Sequence, residues 1–296
     1  MKIKTWRDPY NSGFSTTKPK EIELHEGLTV LVGCNGAGKS TLLHNIAEHC
    51  KKENIPYFFY DNLHSGGSHA IESAANSDFA EFMGLITSSE GEAIKANLAR
   101  QSSYFFHFIQ TGILKDRQHK FLQAMGLLRD DKVDSNVRVF LFDAVDSGMS
   151  VDAVVEVKEL FNMIAEDCYK AKKEFYILIS ANEYELAREC DCLDVNTGKY
   201  LRFADYMDYR NFICKSRQRK DKRCAKQQEW VKNQRQKELL KYRKILQTTQ
   251  AKKEKILASK NPSRWELYHI EDEPRAFLRS ARFISEEDVK FIEESI

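Results

Sequence analysis

The chain has 296 residues, 42% of them hydrophobic, with 46 Lys+Arg against 44 Asp+Glu and a formal net charge of +2. This length buries a sizeable core and fits one large α/β domain with an appendage, or two domains. No apolar stretch approaches the about 20 residues needed to cross a bilayer, so a membrane role would need another subunit. Seven scattered cysteines and no signal-peptide pattern argue for free thiols in a reducing cytoplasm. The near-zero total charge hides an asymmetry: residues 210 to 260 carry 18 Lys+Arg against 4 Asp+Glu, a net +14, which leaves −12 for the rest. Such an imbalance points to a polyanionic partner for the basic part.

In chain order, Lys2-Ile3-Lys4-Thr5-Trp6 is followed by a polar turn at Asn11-Ser12-Gly13 and the alternating strand Glu21-Ile22-Glu23-Leu24. Trp6, Tyr10 and Phe14 either pack a sheet edge or offer a ring to adenine. The apolar run Leu28-Thr29-Val30-Leu31-Val32 then feeds Gly33-Cys34-Asn35-Gly36-Ala37-Gly38-Lys39-Ser40-Thr41, and a helical pattern runs from Leu42 to about Glu48. Strand, glycine-rich turn and helix with G-x-x-x-x-G-K-[ST] spacing make a P-loop pattern. Its glycines let backbone N–H groups close around a β-phosphate, Lys39 neutralises β- and γ-oxygens, and Ser40 offers its hydroxyl to Mg²⁺. The helix adds the positive end of its dipole to the same anion site. ATP and Mg²⁺ are the expected ligands, with Asn35, Gly36, Gly38, Lys39, Ser40 and Thr41 on the phosphate side.

A short aromatic strand, Pro56-Tyr57-Phe58-Phe59-Tyr60, ends at Asp61 and Asn62, placed to sense a γ-phosphate or metal. Residues 69 to 130 read as helices, with Gly sparse and Pro absent. Inside them Thr87-Ser88-Ser89-Glu90-Gly91-Glu92 opens a helix. On its own residues it is either an N-cap with a capping box, Ser89 to Glu92, or a second phosphate site.

Val137-Arg138-Val139-Phe140-Leu141-Phe142-Asp143 is a strand apolar enough for burial on both faces of a parallel sheet, ending in an acid placed to hold the Mg²⁺ shell opposite Ser40. A helix from Val151 to about Lys170 and the strand Phe175 to Ser180 follow. Next come a helix over Glu183 to Glu189 and a hairpin through Asn196-Thr197-Gly198-Lys199. Cys190 and Cys192 lack a second pair at zinc-site spacing. No Gly follows Gly198 and no Pro lies between Pro56 and Pro262, so residues 205 to 260 are free to form a long helix, too polar to be core on all sides. In it, Trp230 and Tyr242 either stack on bases or pack inward, and Arg217, Arg219, Lys220, Lys222 and Arg223 form the densest basic cluster for nucleic acid. From Pro262 an acidic tail, with a final helix capped at Ser285, is placed to fold back on the basic helix.

With these pieces ordered, the first 205 residues resemble an ABC-class ATPase, of the soluble kind related to chromosome-maintenance and recombination-repair ATPases and to small ATPases of phages and defence systems. The turn has the Asn-Gly-x-Gly-Lys-Ser-Thr form usual there. The resemblance implies that Ser89-Glu90-Gly91-Glu92 is a signature loop, with Ser89 and Gly91 closing on the nucleotide of a second copy. It implies that Asp143 is the Walker B aspartate and Asp146-Ser147-Gly148-Met149-Ser150 the loop joining the two sites of a homodimer. Two positions depart from the pattern. Ala144 stands where the family has the Glu that polarises the attacking water, and Asn182 where it has a switch His. A methyl group cannot orient water, so hydrolysis is expected to be slow while binding survives. Ala144 marks either an engineered trap of an active enzyme or a natural ATP-binding switch.

The expected fold is a parallel-rich α/β P-loop NTPase sheet flanked by helices, with a helical insertion at about 65–130 in an ATPase domain over 1–205 and a basic helical region over 206–296. The leading expected function is a homodimerising ATPase that couples ATP to nucleic-acid binding in repair, a mobile element or anti-phage defence. The alternative is an ATPase subunit that scaffolds or restrains an effector protein. A transporter subunit fits less well, since a tail of +14 has no obvious use there.

Overall fold

The computed structural model describes residues 1–4, 21–61, 90–113, 135–259 and 264–295. The elements are β1 (Lys2–Lys4), β2 (Glu21–Glu23), β3 (Gly27–Val32), α1 (Lys39–Lys52), β4 (Tyr57–Asp61), α2 (Glu90–Thr111), β5 (Val137–Asp143) and α3 (Val151–Lys170). They continue with β6 (Glu174–Ser180), the single turn α4 (Tyr184–Ala187), β7 (Asp191–Asp194), β8 (Lys199–Leu201), α5 (Tyr206–Leu257), α6 (Arg264–Ser280) and α7 (Glu286–Glu294). Contacts group these into two compact units, Met1–Lys220 and Asp221–Ile296. The division falls inside α5 rather than at residue 205, because the first turns of that helix are bonded to the sheet's loops.

In the first unit six strands form one sheet in the order β4-β5-β6-β3-β7-β8, parallel except for β8, which runs antiparallel to β7; β1 and β2 pair separately as an antiparallel ribbon. The apolar runs of β3, β5 and β6 are continuous because both faces of the sheet are covered. Side chains alternate across it. Val30, Val32, Phe140, Phe142, Ile177 and Ile179 meet α2, α3 and α4, whereas Leu31, Val139, Leu141 and Leu178 meet α1 and the ribbon. Aromatic rings fill the first layer, with centroids 5.0 Å apart for Phe58 and Phe105 and 4.6 Å for Phe142 and Phe161. Truncating one such ring to Ala costs about 3–5 kcal/mol.

Arg138 breaks the apolar run of β5 yet is fully buried. Its guanidinium donates to the carbonyls of Phe108 and Ile109 at 3.0 and 2.9 Å and to those of Ser135 and Val137 at 2.7 and 2.8 Å. Two of these carbonyls belong to the last turns of α2, so the cation caps the negative end of a helix, although desolvation holds its pKa below the usual arginine value. Of the expected insertion, Glu90–Thr111 falls among the described residues and is one helix. The helix expected over Glu183 to Glu189 is shorter, since Glu189 turns the chain into β7 with φ of 60°.

In the second unit the distal part of α5 is lined by α6 and α7. Arg235 forks onto the Asp288 carboxylate at 2.9 and 2.7 Å, while Lys252 reaches Glu273 at 3.0 Å and Lys253 reaches Glu271 at 2.5 Å. Arg235 and the Ser285 cap together hold Asp288 down to about 2. Tyr242 is buried, its hydroxyl donating to Glu293 at 2.6 Å and its ring stacked on Phe277. Trp230 meets Phe283 edge-on, and Ser285 caps α7 in a capping box with Asp288. The acidic tail thus folds back on the basic helix. The helix α6, which carries Pro274 inside it, is not legible in the sequence.

Candidate functional site

The carboxyl ends of parallel strands, where α/β sheets bind their ligands, gather the candidate residues. After β3 the glycine-rich turn bends with Gly36 and Gly38 at φ of 73° and 104°, left-handed values that an L side chain resists, and α1 starts at Lys39. The turn therefore delivers backbone N–H groups and the positive end of a helix to one place. Ser40 is exposed and Thr41 half-buried at the start of that helix.

Lys39 is buried, and its ammonium donates to the carbonyl of Gly33 at 2.9 Å and to Oδ1 of Asn182 at 3.1 Å. Burial lowers its pKa, opposed by the nearby Asp146, Cys34 and Asp143. Because β6 lies between β3 and β5, its C-terminal end supplies the residues that connect Lys39 to the acids. Ser180 donates its hydroxyl to Asp143 at 2.5 Å and accepts the N–H of Ala144 at 2.8 Å. Asp146, also buried, accepts the backbone N–H groups of Asn182 and Glu183 at 2.5 and 2.7 Å. Burial raises the Asp146 pKa in spite of these bonds.

The structure thus brings together Asn35, Gly36, Gly38, Lys39, Asn182 and Asp146, with Asp143 joined through Ser180. Ala144 sits at φ of 52°, and its side chain is a methyl group with no proton to take or give. Asp61 and Asp143 are paired in register at the ends of β4 and β5. No group of three or more metal-ligating side chains occurs among the described residues. A buried carboxylate plus an exposed hydroxyl is nonetheless the sparse donor set Mg²⁺ takes when phosphates and waters complete its shell. Gly91 lies in the first turn of α2; Trp6, Tyr10, Phe14, Asn62 and Ser89 lie outside the described residues. Cys190 and Cys192 are free thiols, the latter buried and pushed up to about 12.

The basic cluster expected to bind nucleic acid is divided. Arg219 reaches the buried Asp194 at the end of β7 at 3.3 Å and Lys220 donates to the carbonyl of Asn35 in the glycine-rich turn at 2.9 Å, while Lys222 and Arg223 belong to the second unit. Three contributors are invisible to sequence reasoning. Ser180 is one; Tyr209, whose hydroxyl donates to the carbonyl of Asn182 at 2.8 Å, and Ser216, which accepts the N–H of Cys34 at 3.0 Å, are the others. Only the spacing of 209, 216 and 220 along one helical face hints at the last two.

Comparison with protein-family models and with curated proteins finds no match for this chain. Among the described residues no helix is long and apolar enough to cross a membrane.

Proposed function

We propose that the chain adopts a P-loop NTPase fold and is an ATP-binding protein that resembles ABC-class ATPases, dimerises around Mg-ATP in the cytoplasm and turns it over slowly. The observation that carries this reading is a lysine buried at a glycine turn and helix N-terminus, facing Asn182 and two buried aspartates. A buried ammonium with these partners is a site for an anion that needs more than one cation. Mg²⁺, when bound beside Asp143 and Ser40, supplies further positive charge to the phosphates. Lys39 binds the β- and γ-oxygens, and Asn182 offers its amide to the terminal phosphate. The Asp146 carboxylate is tied to two backbone N–H groups and Ala144 has no base, so nothing in this set takes a proton from water efficiently. Calorimetric titration with Mg-ATP tests the reading. Lys39→Ala is expected to weaken binding about a hundredfold or more, the loss of a charge-assisted phosphate contact in a partly desolvated site. Unchanged affinity would remove the assignment.

For the second unit, the packing favours a protein partner over nucleic acid. Trp230 and Tyr242 are engaged by Phe283 and Phe277, and Arg235, Lys252 and Lys253 are paired with tail acids, while Leu240, Tyr268 and Phe291 are exposed. Replacing Lys222 and Arg223, the members of the basic cluster that belong to the second unit, together by Gln decides between the two. A nucleic-acid role requires weakened DNA or RNA binding and a salt slope flatter by roughly one unit per lost phosphate contact.

A further inference from the structure

The first turns of α5 lie along the glycine-rich turn with one face. Tyr209 holds the carbonyl of Asn182, Ser216 holds the N–H of Cys34, Arg219 is fixed by Asp194, and Lys220 reaches the carbonyl of Asn35. The approach at Lys220 is close enough that a Cβ on Gly36 would come within 2.6 Å of its Nζ. Between helix and turn opens a cavity of about 550 Å³ lined by Asn35, Asn182, Tyr209, Ile213, Arg217 and Gln218 among others. Arg217 is exposed there, with no acidic partner among the described residues. Asn182, which accepts a hydrogen bond from Lys39 and on the reading above offers its amide to the terminal phosphate, also lines this cavity.

We propose, on the nucleotide-site reading above, that Lys220 and Arg217 form a second cationic arm of the site that binds the terminal phosphate of a nucleoside triphosphate and so distinguishes triphosphate from diphosphate. The chemistry favours the exchange. The Lys220 ammonium donates to a neutral carbonyl, whereas a phosphate oxygen offers a charged acceptor, and hydrogen bonds with an ionised acceptor are roughly twice as strong. Arg217 adds a planar fork that matches two phosphate oxygens. The arm also supplies charge where the site is short of it. Lys39 is the buried cation of the turn, and Asp143 and Asp146 beside it repel an incoming anion.

The test titrates wild type, Lys39→Ala, Lys220→Gln, Lys220→Arg and Arg217→Gln with Mg-ATP and Mg-ADP by calorimetry, with thermal melts to confirm folding. Lys220→Gln and Arg217→Gln are each expected to weaken Mg-ATP about tenfold while Mg-ADP changes less than about threefold, and Lys220→Arg to restore most of the difference. Equal losses for both nucleotides, unchanged Mg-ATP affinity, or tighter Mg-ATP binding as expected of a plug that must leave, would each overturn the arm. If wild type binds neither nucleotide, the underlying nucleotide-site reading falls and takes the arm with it. If Lys39→Ala loses Mg-ATP while both arm variants keep it, the arm alone falls.

Discussion

Replacing Asp146 separates its role as a buried acceptor from its role as a charge. The carboxylate is 3% exposed and accepts the N–H groups of Asn182 at 2.5 Å and Glu183 at 2.7 Å, so it holds the loop that carries Asn182 to Lys39. Ala removes both bonds. Each is charge-assisted and worth about 1.5 kcal/mol, a low value because Asn182 and Glu183 are themselves exposed and water reaches the freed donors. Part of the total returns because the carboxylate no longer has to be desolvated, a cost visible in its raised pKa, which leaves a net loss of about 2 kcal/mol. For a unit spanning Met1–Lys220 this lowers the melting temperature by about 4–8 °C. Asn keeps one acceptor oxygen and carries no charge, so Asp146→Asn is expected to cost less than half as much. The sign with pH follows from the raised pKa. The folded chain holds this proton more tightly than the unfolded chain, so stability falls as pH rises from the unfolded value of 3.8 towards the folded one, and Asp146→Asn lacks that component. Thermal melts followed by circular dichroism read all three proteins. An Ala variant within 2 °C of wild type, or an Asn variant less stable than the Ala variant, would refute the reasoning.

Ala144→Glu is expected to raise Mg-ATP turnover by about two orders of magnitude or more, the range for a positioned general base; a phosphate-release assay at saturating ATP checks it. The left-handed backbone there is no extra obstacle, since Ala already carries the Cβ that resists φ of 52°. Ala144→Gly removes that strain and is expected to stabilise the first unit by about 1 kcal/mol, read as a higher melting temperature. Ser89→Arg is expected to leave ATP binding by one copy intact and to block ATP-dependent dimerisation, measured by light scattering. In the second unit, Asp288→Asn is expected to destabilise at neutral pH. The difference from wild type should shrink as pH falls below 3.8 and vanish only below the folded value of about 2, where Asp288 is protonated in both folded and unfolded chains.

The sequence by itself determined the local parts of this protein. Continuous apolar runs at Val30, Phe140 and Ile177 require a sheet covered on both faces, and the glycine spacing before Lys39 requires a turn that only left-handed backbone can make. The Gly-free stretch after Gly198 runs as one helix from Tyr206 to Leu257, and Ser285 caps a helix as its neighbours indicate. Tertiary structure decided what those parts do to one another. Inserting β6 between β3 and β5 puts Ser180 and Asn182 between Lys39 and the acids, a pairing between segments far apart in sequence that no local pattern encodes. The charge run between 210 and 260 looks uniform as a sequence. In the fold, its start is divided by the partners each residue finds, the buried Asp194 for Arg219 and the Asn35 carbonyl for Lys220, and its later part is paired with the tail. A charged side chain's role is set by what desolvates or pairs it, and that depends on which distant segment folds against it.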